Sequence, residues 1–178
     1  WWQDTKMANY KSTTAATLSL VGLATAVTCI LGPIAIVLPF SPVPISFGLL
    51  AVFLTTFLLK AKLGLLSCFI YLLSGFIGLP VFSGFIGGAG VLLGPTGGYL
   101  LGYLFIPLCT LPLCRYRNCS IKKMLPGICI GLILCYLCGT YWLGYQLSLS
   151  FSEAFAVGIL PYILFDISYT ILDAPAYA

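Results

Sequence analysis

"GLPVFSGFIGGAGVLLGPTGGYLLG", Gly78 to Gly102, holds nine of the chain's 19 glycines in twenty-five positions. It is too apolar to be a solvated loop, since Val81, Phe82, Phe85, Ile86, Val91, Leu92 and Leu93 interrupt the glycines. A segment that is neither regular helix nor water-loving must fold back into protein. At membrane depth such backbone is tolerated only where it is buried or lines a cavity, and glycine lets main-chain amides approach a ligand without an intervening side chain.

The surroundings of the stretch establish that a membrane is the relevant solvent. Of 178 residues 61% are hydrophobic and 7% charged, which is too little polar surface to coat a soluble domain. Six apolar runs are separated by charge, proline, glycine or polar clusters, at about 14–38, 46–59, 63–78, 97–113, 124–143 and 154–172. They lack the period-two alternation of an outer-membrane barrel. The expected fold is therefore all-α: a polytopic membrane protein with six transmembrane helices and a re-entrant glycine-rich loop between helices 3 and 4. Its domain plan is a cytoplasmic tail over 1–13, one membrane domain over 14–172 and a short tail over 173–178. Several runs fall below the ~20 residues of a full span, which predicts broken helices or locally thin packing.

The eight basic residues give the orientation. Lys6 and Lys11 precede the first run, Lys60 and Lys62 follow the second, and Arg115, Arg117, Lys122 and Lys123 follow the fourth. All lie in the tail or the even-numbered loops, which places both termini on the cytoplasmic side of the cell membrane. The first run has a basic start and an apolar centre, yet Val27 and Thr28 before Cys29 fit signal-peptide cleavage poorly, so it is read as a retained helix.

Several function classes are excluded. The basic residues form no patch with interleaved aromatics, so no nucleic-acid partner is expected. Six of eight cysteines sit in apolar runs, and without histidine no metal site is expected. Four acidic residues and no nucleophile beside a base leave no catalytic constellation, so the protein is not expected to be an enzyme. "GGAGVLLGPTGG" lacks the lysine of a nucleotide-binding loop, so any ATPase must be a separate subunit.

Asp166 is the outlier, a carboxyl within the last run that costs at least about 2.5 kcal/mol at mid-membrane. It either reaches water at the inner end of a tilted helix, stays protonated, or serves as a buried acceptor for ligand N–H groups. The third reading is preferred, with Pro161 loosening the helix one turn earlier and freeing backbone carbonyls. The start of the fourth helix near Gly97 offers further N–H groups to an anionic or carbonyl oxygen.

The order of "SPVPIS", then "GLPVFSGFIGGAGVLLGPTGGYLLGYL", then "AVGILP" followed by Asp166 resembles the BioY family, the biotin-binding S components of energy-coupling-factor (ECF) transporters. The resemblance covers about residues 14–172. It implies that the protein captures biotin from outside without a cofactor of its own and works with a transmembrane coupling (T) subunit and two ATPase subunits. It implies a lid formed by Ser41, Pro42, Val43, Pro44, Ile45 and Ser46. The implied ligand-binding set is Phe82, Ser83, Gly84, Phe85, Gly87, Gly88, Thr96, Gly97, Gly98 and Tyr99, with Asp166 and Tyr169 from the last helix. Departures are Phe47 and Gly48 where similar members read Leu-Gln, Gly84 near an asparagine of some members, and Tyr169 where many carry lysine.

Biotin's ureido group offers two N–H donors and a carbonyl, and leaving such groups unpaired when buried would cost about 1 to 3 kcal/mol each. Asp166 suits the N–H pair. Like charge then directs the valerate carboxylate away, toward the glycine-rich amides and the hydroxyls of Ser83, Thr96 or Tyr99, with Phe82, Phe85 and Tyr99 covering the thiophane ring. Ala15, Ser19, Gly22 and Ala26 form a stripe of small residues on one face of the first helix, which suits close helix packing. The resemblance assigns that stripe to the coupling subunit. On the residues alone, a permease or channel-like transporter for another small solute fits the same apolar runs and loop.

Overall fold

The computed structural model describes the backbone of residues 2–36, 43–113, 121–159 and 162, with side chains from 15 onward in the first of these segments and from 124 onward in the third. Helix α1 (Trp2–Leu31) begins well ahead of the apolar run that predicted it and stops at Gly32–Pro33. Strands β1 (Ala35–Ile36) and β2 (Ile45–Ser46) then pair antiparallel, Ala35 opposite Ser46 and Ile36 opposite Ile45. Ser46 closes the base of this hairpin. Its hydroxyl donates to the Gly32 carbonyl (3.0 Å) and accepts from the Gly48 amide (3.0 Å), so one side chain caps helix α2 and ties it to the end of α1.

Helix α2 (Phe47–Ile77) contains two of the six apolar runs. The expected loop between them is reduced to one residue, because Lys60 takes φ 65° and ψ 161° and reverses the chain. Gly64 then lies against Thr56, so close that a Cβ on it would stand 2.9 Å from the Thr56 Cα. The 31 residues are thus a helical hairpin and not one long crossing, although the sequence is apolar enough for a membrane span throughout.

A glycine-rich connection with one short helix, α3 (Ala89–Leu93), leads to α4 (Gly97–Gly102) and α5 (Phe105–Leu113), which together occupy the fourth run. The break at Tyr103–Leu104 has a local cause. Pro107 has no N–H to return to the Tyr103 carbonyl, which accepts from Ile106 instead (3.3 Å). Helix α6 (Ile121–Leu147) packs along α4 and α5, and α7 (Phe151–Gly158) opens the sixth run. Ser150 and Glu153 form a capping box at its start, and the hydrogen bonds from Ser150 hold the Glu153 carboxyl below the usual carboxylate range.

Where lipid replaces water, helices associate by close packing rather than by hydrophobic transfer. On α6, Gly127 faces the Thr110 Cα and Gly131 the Ile106 Cα, where added Cβ atoms would stand at 2.7 and 2.5 Å; one turn on, Cys135 meets Gly102. Buried hydroxyls find partners on their own helix: Thr28 donates to the Ala24 carbonyl, Thr56 to Val52 and Thr110 to Ile106. Leucines and isoleucines such as Leu18, Leu23, Ile77, Ile133 and Leu137 face outward, as lipid-exposed side chains do.

Candidate functional site

The glycine-rich stretch is an ordered cap, built from its first residue. Gly78, at φ 111°, ends α2 with its N–H on Gly75 and that of Leu79 on Ser74, a Schellman arrangement. A tight turn follows in which Phe82 and Ile86 pair across Ser83, Gly84 and Phe85, with Gly84 at φ 82° and Phe85 at φ 60°. The turn sends its two phenylalanines in opposite directions. Phe82 is 1% exposed, seated on Gly75 and edge-on to Tyr71 (centroids 5.7 Å apart), whereas Phe85 is 69% exposed. Tyr71 donates from its hydroxyl to the Val81 carbonyl (3.1 Å), fixing the strand of chain that carries Phe82.

Three of the glycine amides expected to face a ligand are occupied by protein. Gly84 N–H donates to Pro33 (2.9 Å), Gly88 N–H to Gly75 (2.7 Å) and Gly97 N–H to Gly94 (3.0 Å). The first two of these bonds sew the cap onto the ends of α1 and α2. From the other side α6 reaches across: the Trp142 indole N–H donates to Gly94 (2.9 Å) and the Gln146 amide to Leu93 (2.7 Å), capturing carbonyls at the end of α3. Gly87 and Gly97 lie against the backbone of Leu79 and Leu92, and Gly98 against Trp142. The glycines therefore shape the cap by close approach and positive φ.

Beneath it lies a cavity of about 250 Å³, lined by Val43, Pro44, Phe82, Ser83, Ile86, Val91, Thr96, Tyr99, Leu100 and Tyr103. A smaller one of about 40 Å³ continues toward α6 and the last helix, between Ile45, Ser46, Leu49, Cys135, Tyr136, Gly158 and Tyr162. Both share Val43, Pro44, Tyr99 and Tyr103. Tyr99 stands at the junction, its ring on Gly139 and its hydroxyl donating to the Gly158 carbonyl (3.2 Å). With that single proton used, Thr140 is the donor in the 3.1 Å bond between the two hydroxyls. The Tyr162 hydroxyl donates to the Val43 carbonyl, joining the chain just beyond α7 to the segment that lines both cavities.

Of the residues singled out from the sequence, Phe82, Ser83, Thr96, Tyr99, Val43 and Pro44 line the larger cavity, and Ile45 and Ser46 the smaller. Gly84, Phe85, Gly87, Gly88, Gly97 and Gly98 shape the cap without lining either. Ser41, Pro42, Asp166 and Tyr169 lie outside the described residues. Sequence reading passed over Ile86, Tyr103, Tyr136, Thr140 and Tyr162. Tyrosine and threonine within apolar runs were the available signal, since a buried hydroxyl needs a partner. Ala15, Ser19, Gly22 and Ala26 are all exposed, and among the described residues nothing lies within 4 Å of a Cβ placed on Gly22.

With this geometry in hand, the family model described as "BioY family" matches residues 5–176. The chain belongs to the BioY family. Among BioY relatives, the biotin transporter BioY2 of Lactococcus lactis is 36% identical over 163 residues, covering 91% of this chain and 88% of its own. A probable biotin transporter BioY of Pyrococcus horikoshii is 37% identical over 153 residues, covering 86% and 88%. The crystal structure of an S-component for biotin from an ECF-type ABC transporter superposes with a TM-score of 0.81 at 29% identity, covering 93% of this chain and 90% of that one. The architecture is thus the helical fold of ECF S components, and this BioY chain is a membrane protein of a transporter family.

Proposed function

We propose that this protein is the substrate-capturing S subunit for biotin, working in the cytoplasmic membrane with a transmembrane coupling subunit and two ATPase subunits. The observation that carries the reading is the cavity of about 250 Å³ lined by Val43, Pro44, Phe82, Ser83, Thr96 and Tyr99 among others. It offers what a fused apolar ring system with a polar rim requires: an aromatic face, apolar walls and a few hydroxyls. No bond of the ligand needs to change, so the role is capture and delivery and not catalysis.

In this reading the domain over 14–172 crosses the membrane six times, with the tails over 1–13 and 173–178 in the cytoplasm, and the glycine-rich cap re-enters from outside. The last helix adds Asp166 and Tyr169, Asp166 accepting from the ureido N–H pair. Ser83 and Thr96 receive the valerate end, since the amides of Gly84, Gly88 and Gly97 are bonded within the protein. Residues Ser41 to Ser46 form the lid. The exposed stripe Ala15, Ser19, Gly22 and Ala26 is the docking face for the coupling subunit, which the absence of an internal neighbour over Gly22 supports.

Calorimetry with purified protein tests the proposal. Wild type is expected to bind biotin saturably, and Asp166→Asn to bind about 10- to 100-fold more weakly, as for loss of a charged acceptor. Folded wild-type protein that gives no saturable signal with biotin would overturn the substrate assignment.

A further inference from the structure

Two apolar grooves open on the outer surface, away from the cavity. One, of about 530 Å³, runs between the second half of α2 and the α4–α5 junction, lined by Lys62, Leu65, Leu66, Phe69, Leu104 and Leu108. The other, of about 410 Å³, runs between α1 and the first half of α2, where Leu20, Leu23, Leu54, Leu58 and Lys60 are among its walls. Leu63 lines both. The grooves therefore share a wall at Leu63, near the hairpin tip at Lys60, and each has one exposed lysine on its wall.

We propose that one anionic diacyl phospholipid straddles this tip, an acyl chain in each groove and its phosphate between Lys60 and Lys62. The walls favour a lipid over a partner helix. Helices approach closely over small residues, whereas these walls are mostly leucine, with Phe69 and Val27, and carry Ala24 and Thr55 as their small residues. Flexible chains fill such irregular apolar channels. Charge complementarity selects the headgroup: the tip terminates two apolar helices, so its lysines lie at headgroup level, where basic residues beside helix clefts bind anionic lipid. Two chains joined at one glycerol match two grooves joined at one leucine.

Native mass spectrometry of the purified chain with phosphatidylglycerol and phosphatidylcholine of identical chains reads this directly. Wild type is expected to retain phosphatidylglycerol preferentially, Lys62→Gln to lose about fivefold of that preference, and the Lys60→Gln/Lys62→Gln pair to lose it entirely. Single-chain lysophosphatidylglycerol is expected to be retained less than the diacyl lipid. Biotin binding by Lys62→Gln is expected to be unchanged, which marks the variant as folded. Equal retention of the two lipids by wild type, an unchanged preference in Lys62→Gln, or a lipid-free dimer would each overturn the proposal; the wild-type arm decides even if a variant fails to fold.

Discussion

The glycines of α6 and those of the cap between α2 and α4 are one residue type put to opposite uses. Gly127 and Gly131 sit in regular helix and matter for what is pressed against them, the backbone of α5. Gly84 and Gly88 have open space where a Cβ would go and matter for their own φ, 82° and 103°. Removing the first kind separates helices; removing the second bends a loop. Gly22 is a third kind, in regular helix with none of the described residues near it. The difference between packing, conformation and external contact is what substitutions should expose.

Gly131→Leu should have the largest effect. Its side chain meets the Ile106 backbone, which cannot swing aside, so overpacking is expected to cost about 3 kcal/mol. Thermal denaturation in detergent should show a large fall in melting temperature, while the fraction that remains folded binds biotin like wild type. Reduced affinity at unchanged stability would break the distinction between packing and site.

Gly84→Ala should cost less and show the reverse balance. An alanine at φ 82° is strained by roughly 1–2 kcal/mol without any clash. Because Ser83 and Ile86 on either side line the cavity, biotin dissociation is expected to quicken several-fold while the helices stay assembled. Equal losses of stability in this variant and in Gly131→Leu would erase the contrast.

Gly22→Leu should leave the isolated protein's melting temperature unchanged or slightly raised, since glycine within a helix is about 1 kcal/mol worse than a good helix former. Recovery of the coupling subunit on affinity purification should fall. A destabilised monomer with normal partner recovery would move this residue into the packing group.

Much of the fold was legible as composition. Each of the six apolar runs carries helix among the described residues; the fourth is broken before Pro107, whereas the shorter second and third are continuous and meet at Lys60. The loop between the second and third runs is shorter than the runs imply, because one positive φ at lysine leaves no compositional mark. In the site, Phe82 and Phe85 look equivalent in the sequence, yet the turn at Gly84 buries one and exposes the other. The small-residue stripe of α1 was noticed, while the one on α6 that holds the bundle together was not. Both repeat small residues every three or four positions, and only neighbours tell an internal seam from an outward face.

The order of apolar runs, the charges between them and the glycine-rich stretch determined, without coordinates, that this is a membrane protein and which family it resembles; those properties follow from the solvent each segment must match. What its glycine amides bond to, which phenylalanine faces the cavity, and how Tyr99 and Tyr162 link distant parts of the chain were decided by tertiary structure alone. The reason is that the donors of Gly84, Gly88, Tyr99 and Tyr162 take acceptors that folding brings to them from remote parts of the chain.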